Sequence, residues 1–134
     1  MKRSTSILSS LLILLSWTAT AQSTELAASV KRGQSVYMVN CQTCHMLAGE
    51  GIAGVFPPLA KSPRVSDKDQ MIKVLLHGLK GPLMINGTRY NGEMASYEML
   101  SDQEVSDVLN FIRNSFGNSN PAIAPNEIKA KRDK

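Results

Sequence analysis

The sequence predicts an all-α fold in which three to five helices are joined by long loops. Three segments place apolar side chains at helical spacing, and two of these segments begin with residues typical of helix caps. The stretches between them are rich in glycine and proline, and none shows the polar–apolar alternation of a strand. The chain has 134 residues, a length that suits one compact domain.

The first predicted helix covers about residues 25–39 and runs directly into Cys41. Its apolar side chains recur at helical spacing and include Leu26, Val30 and Tyr37. The helix is therefore expected to carry the first cysteine of the chain at its C-terminal end.

The second and third predicted helices begin at recognisable caps. Ser66-Asp67-Lys68-Asp69 is typical of an N-cap followed by acid in the first turn, and Gly78 supplies the stop. Ser101-Asp102-Gln103-Glu104 is a capping box, and Gly117 is expected to end the helix that it opens. The apolar residues of these helices are Met71, Ile72, Val74, Leu75 and Leu76 in the second and Val105, Val108, Leu109, Ile112 and Phe116 in the third.

The N-terminus has the pattern of an export signal. Lys2 and Arg3 form a short positive region, and the apolar run Ile7–Trp17 follows it. Ala19-Thr20-Ala21 offers the small residues that a signal peptidase requires, so cleavage is expected before Gln22. The apolar run is about half of the roughly 20 residues that a membrane-spanning helix needs, and a retained membrane anchor is the alternative interpretation. The expected location of the mature protein is the periplasm.

These features divide the chain into three parts. They are a cleaved signal peptide at residues 1–21, a domain at residues 22–120 and a charged C-terminal tail at residues 121–134. No stable membrane span is expected after cleavage. A proline followed by mixed charges can clasp a partner protein, and a frayed terminus is the other interpretation of the tail.

The positive charge is concentrated at the two ends of the chain. The sequence has 15 Lys and Arg residues against 11 Asp and Glu residues, a net charge of +4. Residues 22–125 carry nine residues of each sign, so the body of the domain is neutral. No nucleic-acid partner is expected, because a nucleic-acid-binding face needs clustered Lys and Arg.

The two cysteines of the chain lie in the run Cys41-Gln42-Thr43-Cys44-His45. Two thiols at this spacing can add across the two vinyl groups of a haem and tether it through thioethers. The histidine that follows can then place an imidazole nitrogen on the iron. The run therefore predicts one covalent haem c, attached through Cys41 and Cys44, with His45 as a metal ligand.

Two other chemistries use closely spaced cysteines. A zinc site needs further ligands at a matching spacing, and the chain has no third cysteine. A thioredoxin-like dithiol needs a βαβ context, which the predicted helices do not provide. A disulfide between the two cysteines would close a very small loop and would stabilise the fold little. A free dithiol is therefore the remaining alternative to haem attachment.

With these residues the chain resembles the class I c-type cytochromes over about residues 25–117. The resemblance rests on the haem-binding run, on Phe56-Pro57-Pro58-Leu59, on Tyr90-Asn91-Gly92-Glu93-Met94 and on the helix start at Leu100. It implies a cytochrome c-like fold whose long loops pack around the haem. It also implies a close crossing of the first and last helices, formed by Gly33, Tyr37, Val108 and Phe111.

The resemblance further implies the second iron ligand and its surroundings. Met94 matches the ligand methionine of the family, with Met99 and Met84 as alternatives. Related sequences commonly have proline after this methionine, and Ala95 stands there in this chain. Pro57 matches the proline whose carbonyl accepts a hydrogen bond from the axial imidazole. Further candidate haem contacts are Leu59 by packing and Tyr90, with Arg89, at a propionate.

The sequence therefore predicts an exported electron-transfer protein, not an enzyme, whose haem c has histidine and methionine ligands. Three alternatives stay open: a bis-histidine iron through His77, an open-site haem protein that binds a small gas or a peroxide, and the haem subunit of a larger periplasmic oxidoreductase. The expected partners are redox proteins or the catalytic subunit of an oxidoreductase. The chain is expected to be a monomer or to enter transient complexes.

Overall fold

The computed structural model describes residues 5–132, most of which are helical. The helices are α1 (Thr5–Asn40), α2 (Gln42–His45), α3 (Lys68–His77), α4 (Asp102–Arg113) and α5 (Pro125–Arg132), and a short 3-10 helix spans Pro63–Ser66. The strands β1 (Leu79–Lys80), β2 (Leu83–Ile85), β3 (Thr88–Tyr90) and β4 (Glu93–Met94) lie between α3 and α4. The helical architecture confirms the predicted all-α class.

Helix α1 extends beyond the helix that the sequence predicted. It begins at Thr5 and so includes residues on both sides of the predicted cleavage point before Gln22. Residues 1–4 of the predicted signal peptide and residues 133–134 of the predicted tail lie outside the described residues. Within residues 22–132, whose side chains the structure describes, no helix has both the length and the apolar character that crossing a membrane requires.

Helices α1 and α4 cross at Gly33, where their backbones touch. A β-carbon at Gly33 would lie 1.9 Å from the carbonyl oxygen of Asp107 and 2.9 Å from the β-carbon of Phe111. Beside the crossing, the rings of Tyr37, Phe111 and Phe116 pack with centroids 5.2 to 5.3 Å apart. The predicted close crossing of α1 and α4 is therefore confirmed.

A buried carboxylate, Asp107, ties the same two helices together. It is 3% exposed and accepts hydrogen bonds from the Ser29 hydroxyl at 2.6 Å, from Arg32 at 2.8 and 2.9 Å and from Gln103 at 2.9 Å. Burial alone would raise the pKa of this carboxyl, but the hydrogen bonds and the charge of Arg32 outweigh burial and lower the pKa. Asp107 is therefore charged at neutral pH and satisfied by donors from both helices.

We expect Asp107→Asn to lower the free energy of unfolding by about 1 to 3 kcal/mol at neutral pH, because an amide donor then faces the Arg32 donors. A carboxyl whose pKa is lower in the folded state adds stability above its unfolded pKa. That stability is lost as the pH falls through the folded value. Urea unfolding from neutral pH downwards should show the difference between wild type and variant shrinking below about pH 4. A difference that stays constant with pH would contradict this role.

The described part of the predicted C-terminal tail is ordered and packed. Helix α5 contacts α3 and α4 and buries Ile128, and the preceding segment buries Ile123. The side chain of Asn110 donates to the carbonyl oxygen of Ile123 at 2.9 Å and accepts from its N–H at 2.7 Å. Three ion pairs anchor the helix: Lys68 with Glu127, Lys131 with Asp69 and Arg132 with Asp102. The frayed-terminus interpretation is therefore wrong for residues 121–132.

Helix α4 begins at the predicted capping box but ends earlier than expected. Ser101 and Glu104 exchange both cap hydrogen bonds, whereas the last helical residue is Arg113 and not a residue next to Gly117. Side-chain amides satisfy the carbonyl oxygens that the last turn leaves free. The pairs are Asn114 with Asn110, Asn118 with Ile112 and Asn120 with Arg113.

The loop between α3 and α4 contains two nested antiparallel strand pairs that the sequence analysis did not predict. Strand β2 pairs with β3, and β1 pairs with β4 so that Leu79 lies opposite Met94. Asn86 and Gly87 form the turn between β2 and β3 with φ of 49° and 77°. An Asn-Gly pair is a strong hairpin signal, but the strands beside it are too short to show alternation.

Candidate functional site

The motif residues Cys41, Cys44 and His45 lie where α1 meets α2. The N–H of His45 donates to the carbonyl oxygen of Cys41 at 2.9 Å, which closes one helical turn. Both cysteines are free thiols, and Cys41 is buried. This turn brings the two thiols and the imidazole to the wall of one cavity.

The ionisation of these groups suits a ligand site better than a redox dithiol. Burial raises the pKa of the Cys41 thiol to about 11, and the nearby Cys44 adds to the effect. Burial also lowers the pKa of His45, against an opposing hydrogen bond to Pro57. A neutral imidazole can donate a lone pair to a metal, whereas a catalytic dithiol needs a thiol of lowered pKa. The free-dithiol alternative is therefore disfavoured.

The imidazole of His45 is oriented by the backbone of the following loop. Its Nδ1 lies 2.9 Å from the carbonyl oxygen of Pro57. The N–H of Leu59 donates to the carbonyl oxygen of Gly49 at 2.7 Å and holds this loop in place. When Nδ1 carries the proton and donates to Pro57, the lone pair is on Nε2 and is available to a metal.

Two adjoining cavities of about 80 and 240 Å³ open beside this imidazole, and we call them the first and the second cavity. Both are lined by Cys41, His45, Pro57, Leu79, Leu83 and Met94. Leu59 lines the first cavity, and Cys44 and Tyr90 line the second. Cys41, Cys44, His45, Pro57, Leu59, Tyr90 and Met94 therefore each border at least one of the two cavities.

Met94, at the end of β4, is held against the C-terminal end of α3. A β-carbon at Gly78, whose φ is +76°, would lie 2.5 Å from the carbonyl oxygen of Met94, so this approach requires glycine. Two hydrogen bonds hold the residues after Met94: Tyr97 N–H to Leu75 O at 2.9 Å, and Ser96 Oγ to Leu76 O at 2.5 Å. These contacts order the backbone around Ala95, where related sequences commonly have proline.

The other candidate ligands lie elsewhere. Met84 is 60% exposed, Met99 is 74% exposed, and neither lines the two cavities. Met71 lines the first cavity but not the second. His77 borders a separate polar pocket with Asp67, Asp69, Gln70, Lys73 and Lys131. Of these methionines and histidines, only Met94 shares both cavities with His45.

Three polar residues of the first cavity, Ser62, Arg64 and Gln70, were missed by the sequence analysis. Ser62 and Arg64 lie in a loop and the 3-10 helix, and Gln70 lies in the first turn of α3. In the sequence each resembles an ordinary surface residue, and no motif or spacing marks them. Arg89, considered there as a propionate contact, is exposed and lines neither cavity.

The chemistry of the two cavities fits a haem. The walls are mostly aliphatic, as a flat apolar macrocycle requires, and they combine two thiols, a neutral imidazole and a thioether. The thiols are three residues apart in sequence, as attachment to two vinyl groups needs.

Comparison with known proteins matches residues 30–116 to the cytochrome c family. The chain is 37% identical over 99 residues to cytochrome c-552 of Thermus thermophilus, an alignment covering 70% of this chain and 66% of that protein. It is 35% identical over 103 residues to the cytochrome c subunit of alcohol dehydrogenase (quinone) from Gluconobacter oxydans, covering 75% of this chain and 22% of that protein. The gluconate 2-dehydrogenase cytochrome c subunit of Pantoea cypripedii is 34% identical over 90 residues, covering 64% and 20%.

The chain thus spans about two thirds of the length of the Thermus relative and about a fifth of the length of the two dehydrogenase subunits. The family match includes the haem-binding run, Met94 and the α1–α4 crossing. Covalently attached haem c is the cofactor that this family implies, and the residues of the site fit it. The chain therefore belongs to the cytochrome c family and is an electron-transfer protein.

Proposed function

We propose that the protein carries one electron on a single haem c, which is attached through Cys41 and Cys44 and has His45 and Met94 as its iron ligands. The observation that carries this proposal is the position of His45 and Met94, which both line the first and the second cavity. When bound, the haem supplies a one-electron iron couple. The chain supplies the iron ligands, orients them and surrounds the haem with apolar side chains that exclude water.

Pro57 and Gly78 prepare the two proposed ligands. The Pro57 carbonyl oxygen accepts the Nδ1 hydrogen bond of His45, which selects the tautomer with a free Nε2 and makes that nitrogen a stronger donor. Gly78 lets the Met94 backbone lie against the end of α3. Each contact involves backbone atoms, which move less than side chains, so we expect the ligand geometry to change little between redox states.

The walls of the cavities and the methionine both favour the reduced state. Aliphatic side chains such as Val74, Leu109 and Ile112 keep water from the first cavity, and a dry surrounding disfavours the extra positive charge of oxidised iron. A thioether ligand acts in the same direction, because methionine with histidine raises the reduction potential of haem iron. The residues therefore suit a carrier of relatively high potential.

Met94→Ala tests the ligand assignment. We expect the variant to lose the methionine–iron(III) charge-transfer band and to bind carbon monoxide rapidly when reduced. Its midpoint potential should fall by on the order of 0.1 V or more, because the axial ligand is a main determinant of haem potential. Visible spectroscopy and a redox titration of the haem-loaded protein measure all three changes.

Met84→Ala and Met99→Ala are the matched controls, because both side chains are exposed and lie outside the two cavities. They should keep the band and the potential of the wild type. Loss of the band in Met99→Ala with retention in Met94→Ala would contradict the assignment. A wild type that has no such band and binds carbon monoxide at once would instead support the open-site alternative.

We further propose that residues 1–21 direct export and are removed, so that the haem domain at residues 22–120 with residues 121–134 acts in the periplasm. The support is the pattern of the N-terminal sequence, with Lys2 and Arg3 before the apolar run and small residues before Gln22. Covalent haem attachment through two thiols also agrees with a compartment outside the cytoplasm.

A second candidate function, haem subunit of a dehydrogenase, is favoured by the relatives. Several proteins similar to this chain are named as cytochrome c subunits of dehydrogenases. Exposed apolar side chains near the site, Val55 and Ile52, are suited to contact with a redox partner. Purification of the native protein discriminates the two functions, since a subunit copurifies with a catalytic chain and a diffusing carrier elutes alone.

A further inference from the structure

The wall of the first cavity is mostly apolar but includes a few polar residues. Apart from Cys41 and His45, the polar residues on its wall are Ser62, Arg64 and Gln70. Ser62 is only 4% exposed, and its hydroxyl forms no hydrogen bond with another described residue. The Ser62 hydroxyl is not completely enclosed, so it is accessible to a hydrogen-bonding group bound in the cavity.

Arg64, which carries a positive charge, also lines this cavity. Among the ion pairs formed by the described residues, none includes Arg64. Hydrogen bonds from α4 hold the 3-10 helix that contains Arg64. The Arg113 guanidinium donates to the carbonyl oxygens of Val65 at 2.6 Å and Ser66 at 3.1 Å. The partly buried side chain of Arg64 thus lies at a mostly apolar wall and has no carboxylate partner among the described residues.

A haem carries two propionate carboxylates, and these are its anionic substituents. The planar fork of a guanidinium matches a carboxylate with two parallel hydrogen bonds, and a cation next to apolar walls is stabilised by such a partner. We propose that Arg64, together with Ser62 and Gln70, binds one propionate of the haem. This inference rests on the proposed function, because it requires a haem in the two cavities.

The position of Cys44 agrees with this orientation. Cys44 lines only the second cavity, whereas Ser62, Arg64 and Gln70 line only the first. The vinyl groups and the propionates occupy opposite edges of a haem, so the thioether edge and the carboxylate edge need separate ends of the site. Tyr90 lines the second cavity with Cys44 and is therefore a packing contact at the thioether end.

The experiment compares Arg64→Gln with Arg89→Gln in the haem-loaded protein. Both changes remove one positive charge, but Arg89 is exposed and lines neither cavity. Arg64→Gln should shift the reduced-to-oxidised equilibrium threefold to tenfold toward the oxidised state, a midpoint shift of about −30 to −59 mV for one electron. The propionate bending band in resonance Raman spectra should shift in Arg64→Gln and keep its wild-type position in Arg89→Gln.

Two further variants keep the test decisive if Arg64→Gln does not fold. Arg64→Lys retains the charge but loses the planar fork, and Ser62→Ala loses only the hydroxyl. Each should shift the propionate band while changing the potential little. If all folded variants of Ser62 and Arg64 keep the wild-type band, the propionate site is overturned. If the wild type shows no covalent haem in a pyridine haemochrome spectrum, the proposed function itself fails.

Discussion

Replacing Cys41 and Cys44 together by serine should abolish covalent haem attachment completely, because serine hydroxyls do not add across vinyl groups as thiols do. We expect most of the folded domain to be lost with it. The loops on either side of α3 turn aliphatic side chains such as Leu59, Leu79 and Leu83 toward the two cavities. Without a bound haem these side chains have no apolar partner. Small domains often depend on a bound cofactor to complete their hydrophobic core.

Haem-stained denaturing gels and pyridine haemochrome spectra measure the attachment, and circular dichroism measures the helix content. Thr43→Ala is the matched control, since Thr43 stands between the two cysteines and is exposed. It should attach haem as the wild type does. Covalent haem in the double serine variant would refute attachment through these residues.

Gly33→Ala should lower the free energy of unfolding by at least about 3 kcal/mol. The new β-carbon would lie 1.9 Å from the carbonyl oxygen of Asp107 and 2.4 Å from its carbonyl carbon. Both are backbone atoms of α4, so no side-chain rotation relieves the clash and the two helices must separate. Separation would also disturb the hydrogen bonds of Asp107 and the packing of Tyr37 against Phe111.

Ser35→Ala is the control for this prediction, because Ser35 is exposed on the same helix. Both substitutions place alanine in α1, and glycine to alanine alone would favour a helix by up to about 1 kcal/mol. A large loss of unfolding free energy in Gly33→Ala, with little change in Ser35→Ala, would therefore be due to the close contact between α1 and α4. Urea unfolding of the two haem-loaded variants measures both values, and equal stabilities would show that α1 and α4 do not require this close approach.

Local sequence patterns predicted the features that depend on adjacent residues. The capping box at Ser101 forms as expected, and Asp67 caps α3 by accepting from the N–H of Gln70 at 3.0 Å. The haem-binding run needs only five consecutive residues, because one helical turn brings Cys41, Cys44 and His45 to the same wall. Helix caps and the haem-binding run are formed by residues a few positions apart, so the local pattern of residue types is enough to predict them.

Features that depend on distant residues were harder to predict. The packing of α5 relies on Ile123, in an uncharged segment rich in proline and asparagine, and on Ile128, in a strongly charged one, and no amphipathic pattern is evident in either. The early end of α4 relies on asparagine side chains that reach back to its last carbonyl groups. These contacts depend on how the chain turns after α4, and that path is not encoded in local spacing.

By itself, the sequence determined the fold class, the attachment motif and, through resemblance, the expected pairing of His45 with Met94. Only the tertiary structure decided that Met94 lines both cavities with His45 while Met84 and Met99 line neither, and that Arg64 and Ser62 line the first cavity alone. The physical reason is distance along the chain. Helical turns and caps are formed by neighbouring residues, whereas a haem-sized cavity is enclosed by loops and helices that meet only when the whole domain has packed.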